Sequence, residues 1–266
     1  MKNQFTNKLD KKFIDAKARN RAALMPFLTM GYPSQQLSLP LLETLSENGA
    51  DIIEVGIPYS DPVADGPVIQ ASSQISLENG TTPEKVFDIL AAYAEKKHSA
   101  TLVIMTYYNI LLQQGLENFV RQCRDVGVTG IVVPDLPLEE SKMLKGLLDE
   151  YQVHLIHFVP PNISEQRLEK IAKQASGFIY LISVTGVTGK RKQLPVNLGP
   201  LCSKIREYTQ TPIALGFGIG SAEQVSQAAQ EVDGVIIGSA LIEELKEPQS
   251  AIDNAAIFMR EVSHYE

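Results

Sequence analysis

The segment IIEVGIPYSDPVADGP, from Ile52 to Pro67, places three carboxyl groups in an otherwise apolar and turn-forming setting. Glu54 interrupts a β-branched run, and the two-residue period of a strand sets it on the same face as Ile52 and Gly56. A carboxylate on such a face is costly if buried and unpaired, so it is either hydrogen-bonded for structure or kept for proton transfer. Asp61 and Asp65 follow in the adjoining loop. Each alone reads as turn chemistry, because Asp before Pro62 and Asp before Gly66 are natural turn formers. Together with Glu54 they permit a divided task, in which one carboxyl group exchanges protons while another stays charged against a developing cation.

A second group of residues suits an anion. TGVTG at Thr185 to Gly189, GFGIGS at Gly216 to Ser221 and GSA at Gly238 to Ala240 are glycine-rich, and glycine lets a phosphate approach backbone N–H groups closely. Structural turns are the competing account of any one of them. Two nucleotide motifs fail: Gly216, Gly218 and Gly220 have the wrong spacing for GxGxxG, and Gly189 with Lys190 lacks the remainder of a P-loop. His154 and His157 lie three apart on one strand pattern and so point to opposite faces, which argues against a shared metal. Tyr180, Tyr107 and Asn109 are placed to touch a substrate or to pack with their polar ends satisfied. Phe27, Phe158 and Phe217 are core residues first, with strand-end positions that suit an aromatic pocket.

These residues need elements to hold them. Short β-branched runs alternate with helical patterns, giving strands at Leu24 to Thr29, Ile52 to Gly56, Leu102 to Thr106, Ile131 to Pro134, Val153 to Val159, Phe178 to Ser183, Ile213 to Gly216 and Val235 to Ile237. Between them run amphipathic segments at Leu37 to Glu47, Pro83 to Lys96, Leu116 to Val126, Glu139 to Leu148, Ser164 to Gln174, Leu201 to Tyr208 and Ala222 to Gln230, with Ala251 to Val262 after the last strand. Thr82 and Ser164 read as helix starts, and Gly49, Gly127 and Gly177 as stops. An open doubly wound sheet could use the same order, but eight βα units in this length favour closure into a barrel, which removes both sheet edges. The expected architecture is α/β: a single (β/α)8 TIM-barrel domain over residues 1–266, with an extra N-terminal helix and a long loop after strand six. Pro58 to Leu77 and Thr185 to Gly199 exceed normal connections, and the second, with Lys190, Arg191 and Lys192, reads as a mobile lid. In such a barrel the loops beyond the strand C-termini form the active face, and those after strands seven and eight recurrently hold phosphate.

Composition narrows the class. The 266 residues are 44% hydrophobic and 21% charged, ordinary globular usage. The net charge of −7 opposes a broad nucleic-acid or anionic-membrane footprint. Cys123 and Cys202, each inside a helical pattern, read as buried reduced thiols. The N-terminal residues lack the apolar segment of a secretory signal, and no apolar run is long enough to span a bilayer, so a cytoplasmic location is expected.

LMPFLTMGYP at Leu24, IIEVGIPYSDPVADGP, VPDLPLEES at Val133, FVPPN at Phe158, SVTGVTG at Ser183 and GFGIGS, taken in order and spacing, make almost the whole chain resemble the tryptophan synthase alpha-subunit family. The resemblance implies retro-aldol cleavage of indole-3-glycerol phosphate to indole and glyceraldehyde 3-phosphate. It implies that Glu54 is the principal acid/base and that Asp65 meets the indole N–H and stabilises the cationic tautomer. Phe27, Met105, Phe158 and Phe217 match apolar walls, Tyr180 a site tyrosine, and Thr188 a residue of the closing loop. Gly189, Gly218, Gly238 and Ser239 match phosphate contacts. No cofactor or metal is implied in this chain. An αββα complex is, with a pyridoxal-phosphate-dependent beta subunit that receives indole and with Pro58 and Asp61 as candidates for communication with it. A different phosphosugar barrel is the competing enzyme class. No strand carries a Schiff-base Lys and no convergent His set suits a metal aldolase. A non-catalytic scaffold would have had no use for Glu54 and Asp65.

Overall fold

A computed structural model describes residues 5–182, 198–216 and 218–263. Among these residues, eight parallel strands pair in chain order: β1 (Ala23–Thr29), β2 (Ile52–Gly56), β3 (Thr101–Met105), β4 (Val128–Val132), β5 (His154–Val159), β6 (Ile179–Ile182), β7 (Ile213–Gly216) and β8 (Gly234–Ile237). Closure comes from β8 pairing back onto β1, with Ala23 opposite Gly234 and Pro26 opposite Ile237, so the open-sheet alternative is excluded. The helices are α1 (Lys8–Ala18), α2 (Ser38–Glu47), α3 (Pro67–Glu78), α4 (Pro83–Ala94), α5 (Tyr108–Gln114), α6 (Leu116–Asp125), α7 (Lys142–Glu150), α8 (Glu165–Gln174), α9 (Leu198–Tyr208), α10 (Ala222–Ala229), α11 (Ser239–Glu244) and α12 (Ala251–Ser263). None is long and apolar enough to cross a membrane.

Strand alternation divides the apolar residues into two cores. Ile53, Val55, Ile104, Ile131, Leu155 and Leu181 point outward and pack under the helices. Met25, Ile52, Val103, Val132, Ile156, Phe178 and Ala214 fill the barrel. The expected N-terminal helix is α1, and it closes the barrel floor by burying Leu9, Phe13 and Ala16 in that inner core. A capping box starts it: Asn7 accepts from the Leu9 N–H at 2.8 Å, and Asp10 accepts from the Asn7 N–H at 2.8 Å. The Asn7 amide also donates to Thr129 O and Gln152 O, both at 2.9 Å, tying the helix to the ends of neighbouring strands. With the floor sealed, the other end of the barrel remains for chemistry.

Several boundaries differ from the sequence reading for identifiable reasons. The stretch Pro58 to Leu77, expected as one long loop, is helical from Pro67 onward, where α3 begins and runs to Glu78. Its buried face is Ser72, Ser73 and Ser76 rather than aliphatic residues, which hides the helical period. Ser72 meets Thr29 at 2.7 Å and donates to Ile69 O at 2.8 Å, and Ser76 donates to Met30 O, so these two hydroxyls are paired. Strand four begins at Val128 rather than Ile131 and ends at Val132. Gly130 interrupts the β-branched pattern there because an added Cβ would lie 3.3 Å from Leu9 of α1. The short helices α5 and α11 were not expected, and α9 starts at Leu198 rather than Leu201. Thr82 caps α4 by accepting from the Lys85 N–H, whereas Ser164 precedes α8 in extended conformation without a side-chain cap bond. Gly49, Gly127 and Gly177 all take positive φ beyond helix ends, as stops require. Cys123 and Cys202 are buried free thiols.

Candidate active site

Glu54 is the inward residue at the C-terminal half of β2, with Phe27 of β1 and Val103 of β3 as its register partners. It is 1% exposed, and the Tyr180 hydroxyl of β6 donates to its Oε2 at 3.5 Å. Its Oε1 is buried with no hydrogen-bond partner among the described residues. Burial, then the negative charge of nearby Asp65, push the Glu54 carboxyl up to about 8, with the Tyr180 hydrogen bond opposing. A proton is therefore held on Glu54 at neutral pH. An uncommitted buried carboxyl oxygen is a cost that packing alone does not explain.

Asp65 closes the loop that follows β2. Its N–H donates to Pro62 O at 3.0 Å and its carbonyl accepts from the Gln70 amide at 2.9 Å, which locks the turn before Gly66 and Pro67 start α3. Burial raises its carboxyl to about 6 and a hydrogen bond from Tyr107 opposes that rise, so it is ionised at neutral pH. The two carboxyls are thus pushed apart in acidity, and of the two Asp65 lines the cavity while Glu54, fully buried, is not among its lining residues. Asp61 separates from them: it is exposed and accepts from Ser60 Oγ at 2.6 Å. Pro58 is buried at the root of the same loop.

The cavity, of about 680 Å³, is lined by Phe27, Asp65, Met105 and Tyr180 together with Gly218, Gly238 and Ser239. Phe158 backs this wall through Tyr180, with ring centroids 4.6 Å apart. Val68 and Ile69 of α3, Ile219 and Ile236 add apolar surface, and Ser221, Gln224 and Glu243 line the cavity beyond the glycines. Sequence reasoning missed Val68 and Ile69 because their segment was read as loop, and it carried no signal for Glu243. Gly216 proves to be a clearance residue, since an added Cβ would lie 2.8 Å from the Tyr180 hydroxyl oxygen. Gly56 does the same for the Phe27 ring, whose Cε2 would lie 2.8 Å away. Tyr107 is buried with its hydroxyl on the Asp65 loop, while Asn109 is exposed and donates to the Tyr59 hydroxyl at 3.4 Å. The histidines lie on opposite faces of β5: His154 meets Asp10 of α1 at 2.8 Å, and His157 points outward toward Lys145. Thr188, Gly189 and Phe217, and the expected lid apart from Leu198 and Gly199, lie outside the described residues.

A buried acid, an ionised partner and an adjoining glycine-lined end make a cavity suited to a substrate with an apolar ring and an anionic tail. A family model described as tryptophan synthase alpha chain matches residues 13–265. The chain belongs to that family. Tryptophan synthase alpha chains from Carboxydothermus hydrogenoformans and Alkaliphilus metalliredigens are 45% and 40% identical to it. The first alignment covers 87% of this chain and 86% of the relative, the second 100% and 98%. Among solved structures, Mycobacterium tuberculosis tryptophan synthase superposes with TM-score 0.90 at 32% identity, over 97% of this chain and 98% of the other. The tryptophan synthase subunit alpha of Legionella pneumophila gives 0.87 at 28% identity, over 98% of both chains. As a tryptophan synthase alpha chain family member, the protein is a lyase of tryptophan biosynthesis that cleaves indole-3-glycerol phosphate to indole and glyceraldehyde 3-phosphate.

Proposed function

We propose that Glu54 carries both proton transfers of this cleavage and that Asp65 holds the charge that builds on indole. The observation that carries the reading is the buried Glu54 with its uncommitted Oε1, whose carboxyl is pushed up to about 8 by burial and then by the charge of Asp65, against about 6 for Asp65 itself. Glu54 delivers its proton to indole C3, which makes the ring cationic, and Asp65 accepts from the ring N–H and stabilises that cation. The bond from C3 to the glycerol carbon then breaks, its electron pair returns to the ring, and the hydroxyl proton of that carbon passes to Glu54 as the aldehyde forms. Proton count closes on Glu54, which begins and ends protonated. Tyr180 keeps the Glu54 carboxyl in place, while Phe27, Met105, Phe158 and Phe217 hold the indole ring. Gly218, Gly238 and Ser239 take the phosphate with Gly189, and Thr188 belongs to the loop that closes over it.

The chain acts in this reading as a single barrel domain, in the cytoplasm, within an αββα complex. Indole passes to a beta subunit, whose pyridoxal phosphate supplies the chemistry of the next step; this chain needs no cofactor for its own. Pro58 and Asp61 sit on the loop that also carries Asp65, a connection that suits communication with the partner.

Glu54→Gln tests the assignment. It keeps size and neutral charge at pH 7 but cannot exchange a proton, so cleavage in complex with a beta subunit should fall by about 10²–10⁴-fold. Substrate affinity should hold. The chain has no Trp, so binding of an indole ligand can be read from the ligand's own fluorescence. Near wild-type turnover by the folded variant would show that the central acid/base lies elsewhere.

A further inference from the structure

The stretch from Gly218 to Ser221 leads from β7 into α10 and lines the cavity along its whole length. Its residues are held unequally. Ile219 is buried in the outer core. Gly220 lies against α11, where an added Cβ would stand 2.9 Å from the Ala240 Cβ. The Gly220 N–H donates to Oε1 of the Gln224 side chain at 2.8 Å, and Ser221 Oγ accepts from the Gln224 N–H at 3.3 Å. Ser221 and Gln224 thus make a cap of the Ser-x-x-Gln kind in which the glutamine reaches one residue further back than a capping box does. Gln224 is itself buried and lines the cavity. Gly218, by contrast, is exposed with φ +85°, and beyond its chain neighbours no atom among the described residues lies within 4 Å of where its Cβ would be.

We infer that Gln224 is a positioning residue for the phosphate of the substrate: its side-chain carbonyl holds the Gly220 N–H and so fixes the loop that presents Gly218 to the anion. This rests on the reading above that Gly218, Gly238 and Ser239 take the phosphate. A glycine loop binds an anion well only if its amides are in place beforehand, because the freedom of glycine must otherwise be frozen on binding. Gly218 has that freedom at a positive φ, and the bond from Gly220 to Gln224 pins the chain two residues later. The acceptor must also be neutral. A carboxylate at the same place would satisfy the N–H but would set a negative charge against the phosphate. Glu223 of α10 and Glu243 of α11 already line the cavity, the second paired with Lys246 at 2.7 Å, so a further charge there would weaken anion binding. Glutamine meets both conditions.

Gln224→Met keeps the length of the side chain and replaces its carbonyl with a far weaker acceptor. In the full chain, affinity for glycerol 3-phosphate, a stable copy of one product, should fall about three- to tenfold, as the loss of one neutral hydrogen bond does, while affinity for indole stays within about twofold. In complex with a beta subunit, KM for indole-3-glycerol phosphate should rise by the same factor and kcat should change by less than about twofold. A merely structural role would weaken both ligands together. Amide hydrogen exchange and NMR of nitrogen-15 glycine-labelled wild type need no variant: Gly220 should be protected without ligand, and its signal should hold still while glycerol 3-phosphate shifts those of Gly218 and Gly238. A Gly220 amide that exchanges freely, or equal loss of both ligands in Gln224→Met, overturns the proposal. If glycerol 3-phosphate shifts neither Gly218 nor Gly238 in the wild type, the phosphate assignment falls and the role of Gln224 falls with it. If it shifts both and Gln224→Met binds it as the wild type does, the role of Gln224 alone falls.

Discussion

Two carboxyl groups of similar intrinsic acidity are driven apart here by their surroundings, which suits them to the different tasks proposed for them. Glu54 is pushed to about 8 by burial and then by Asp65, and Asp65 to about 6 by burial against the pull of Tyr107. The proposed mechanism needs the first protonated and the second ionised, so kcat/KM should follow a bell with limbs near those two values, which belong to the coupled pair. Asp65→Asn gives the sign of each assignment. The acid limb should vanish, and the basic limb should move to lower pH because the charge that helps to raise Glu54 is gone. A limb near 6 that persists in the variant would belong to the substrate phosphate and would remove Asp65 from that role. Residue identity in the sequence went far toward this site, since Glu54 stands out as a charge on an apolar strand face. It did not separate Asp61 from Asp65. Both precede turn residues, and only the path of the loop under Tyr107 exposes one and half-buries the other; resemblance to the family, not spacing, made the distinction.

Strand glycines show how elements set the site at a distance of one side chain. Gly216 of β7 faces the Tyr180 phenol of β6, and Phe158 of β5 packs on the other side of that ring. A methyl group at position 216 must therefore displace Tyr180 from Glu54. Gly216→Ala should cost about 1–3 kcal/mol of stability, as overpacking does, and should lower cleavage by at least about tenfold. Chemical denaturation and steady-state assay check both; unchanged turnover would mean that the Tyr180 contact is dispensable. Sequence reading placed Gly216 in a phosphate-binding loop because composition cannot distinguish a glycine kept for an anion from one kept for a neighbouring ring. The barrel itself was legible where a short, mainly apolar strand ended at a glycine, as in β2 and β7, which match their expected bounds. It was obscured where the chain solved a local packing problem with small residues: Gly130 in β4 clears α1, and the serines of α3 replace an aliphatic face.

For the whole molecule, holding Glu54 neutral makes stability depend on pH in a direction opposite to that of an ordinary paired carboxylate. Its folded value of about 8 lies above the ordinary 4.5, so the native state keeps a proton that the unfolded chain releases. This contribution is fully present below about 4.5 and is lost as pH rises through about 8. Asp65 acts in the same sense between 3.8 and about 6. His157 acts in the reverse sense. Burial, then Lys145, depress it from 6.5 to about 4, so its contribution is present above 6.5 and is lost as pH falls through about 4. The wild-type curve sums these, but a comparison with Glu54→Gln isolates one of them. Gln copies the protonated form, so the two proteins should be close in stability at pH 4.5. The variant should become progressively more stable than wild type up to about pH 8, by on the order of a few kcal/mol, since each pKa unit is worth about 1.4 kcal/mol. Guanidinium unfolding at fixed ionic strength across this range measures the gap. A constant difference between the two proteins would mean that Glu54 is ionised in the folded barrel throughout, and the proton it is proposed to deliver to indole C3 would then have to come from another group.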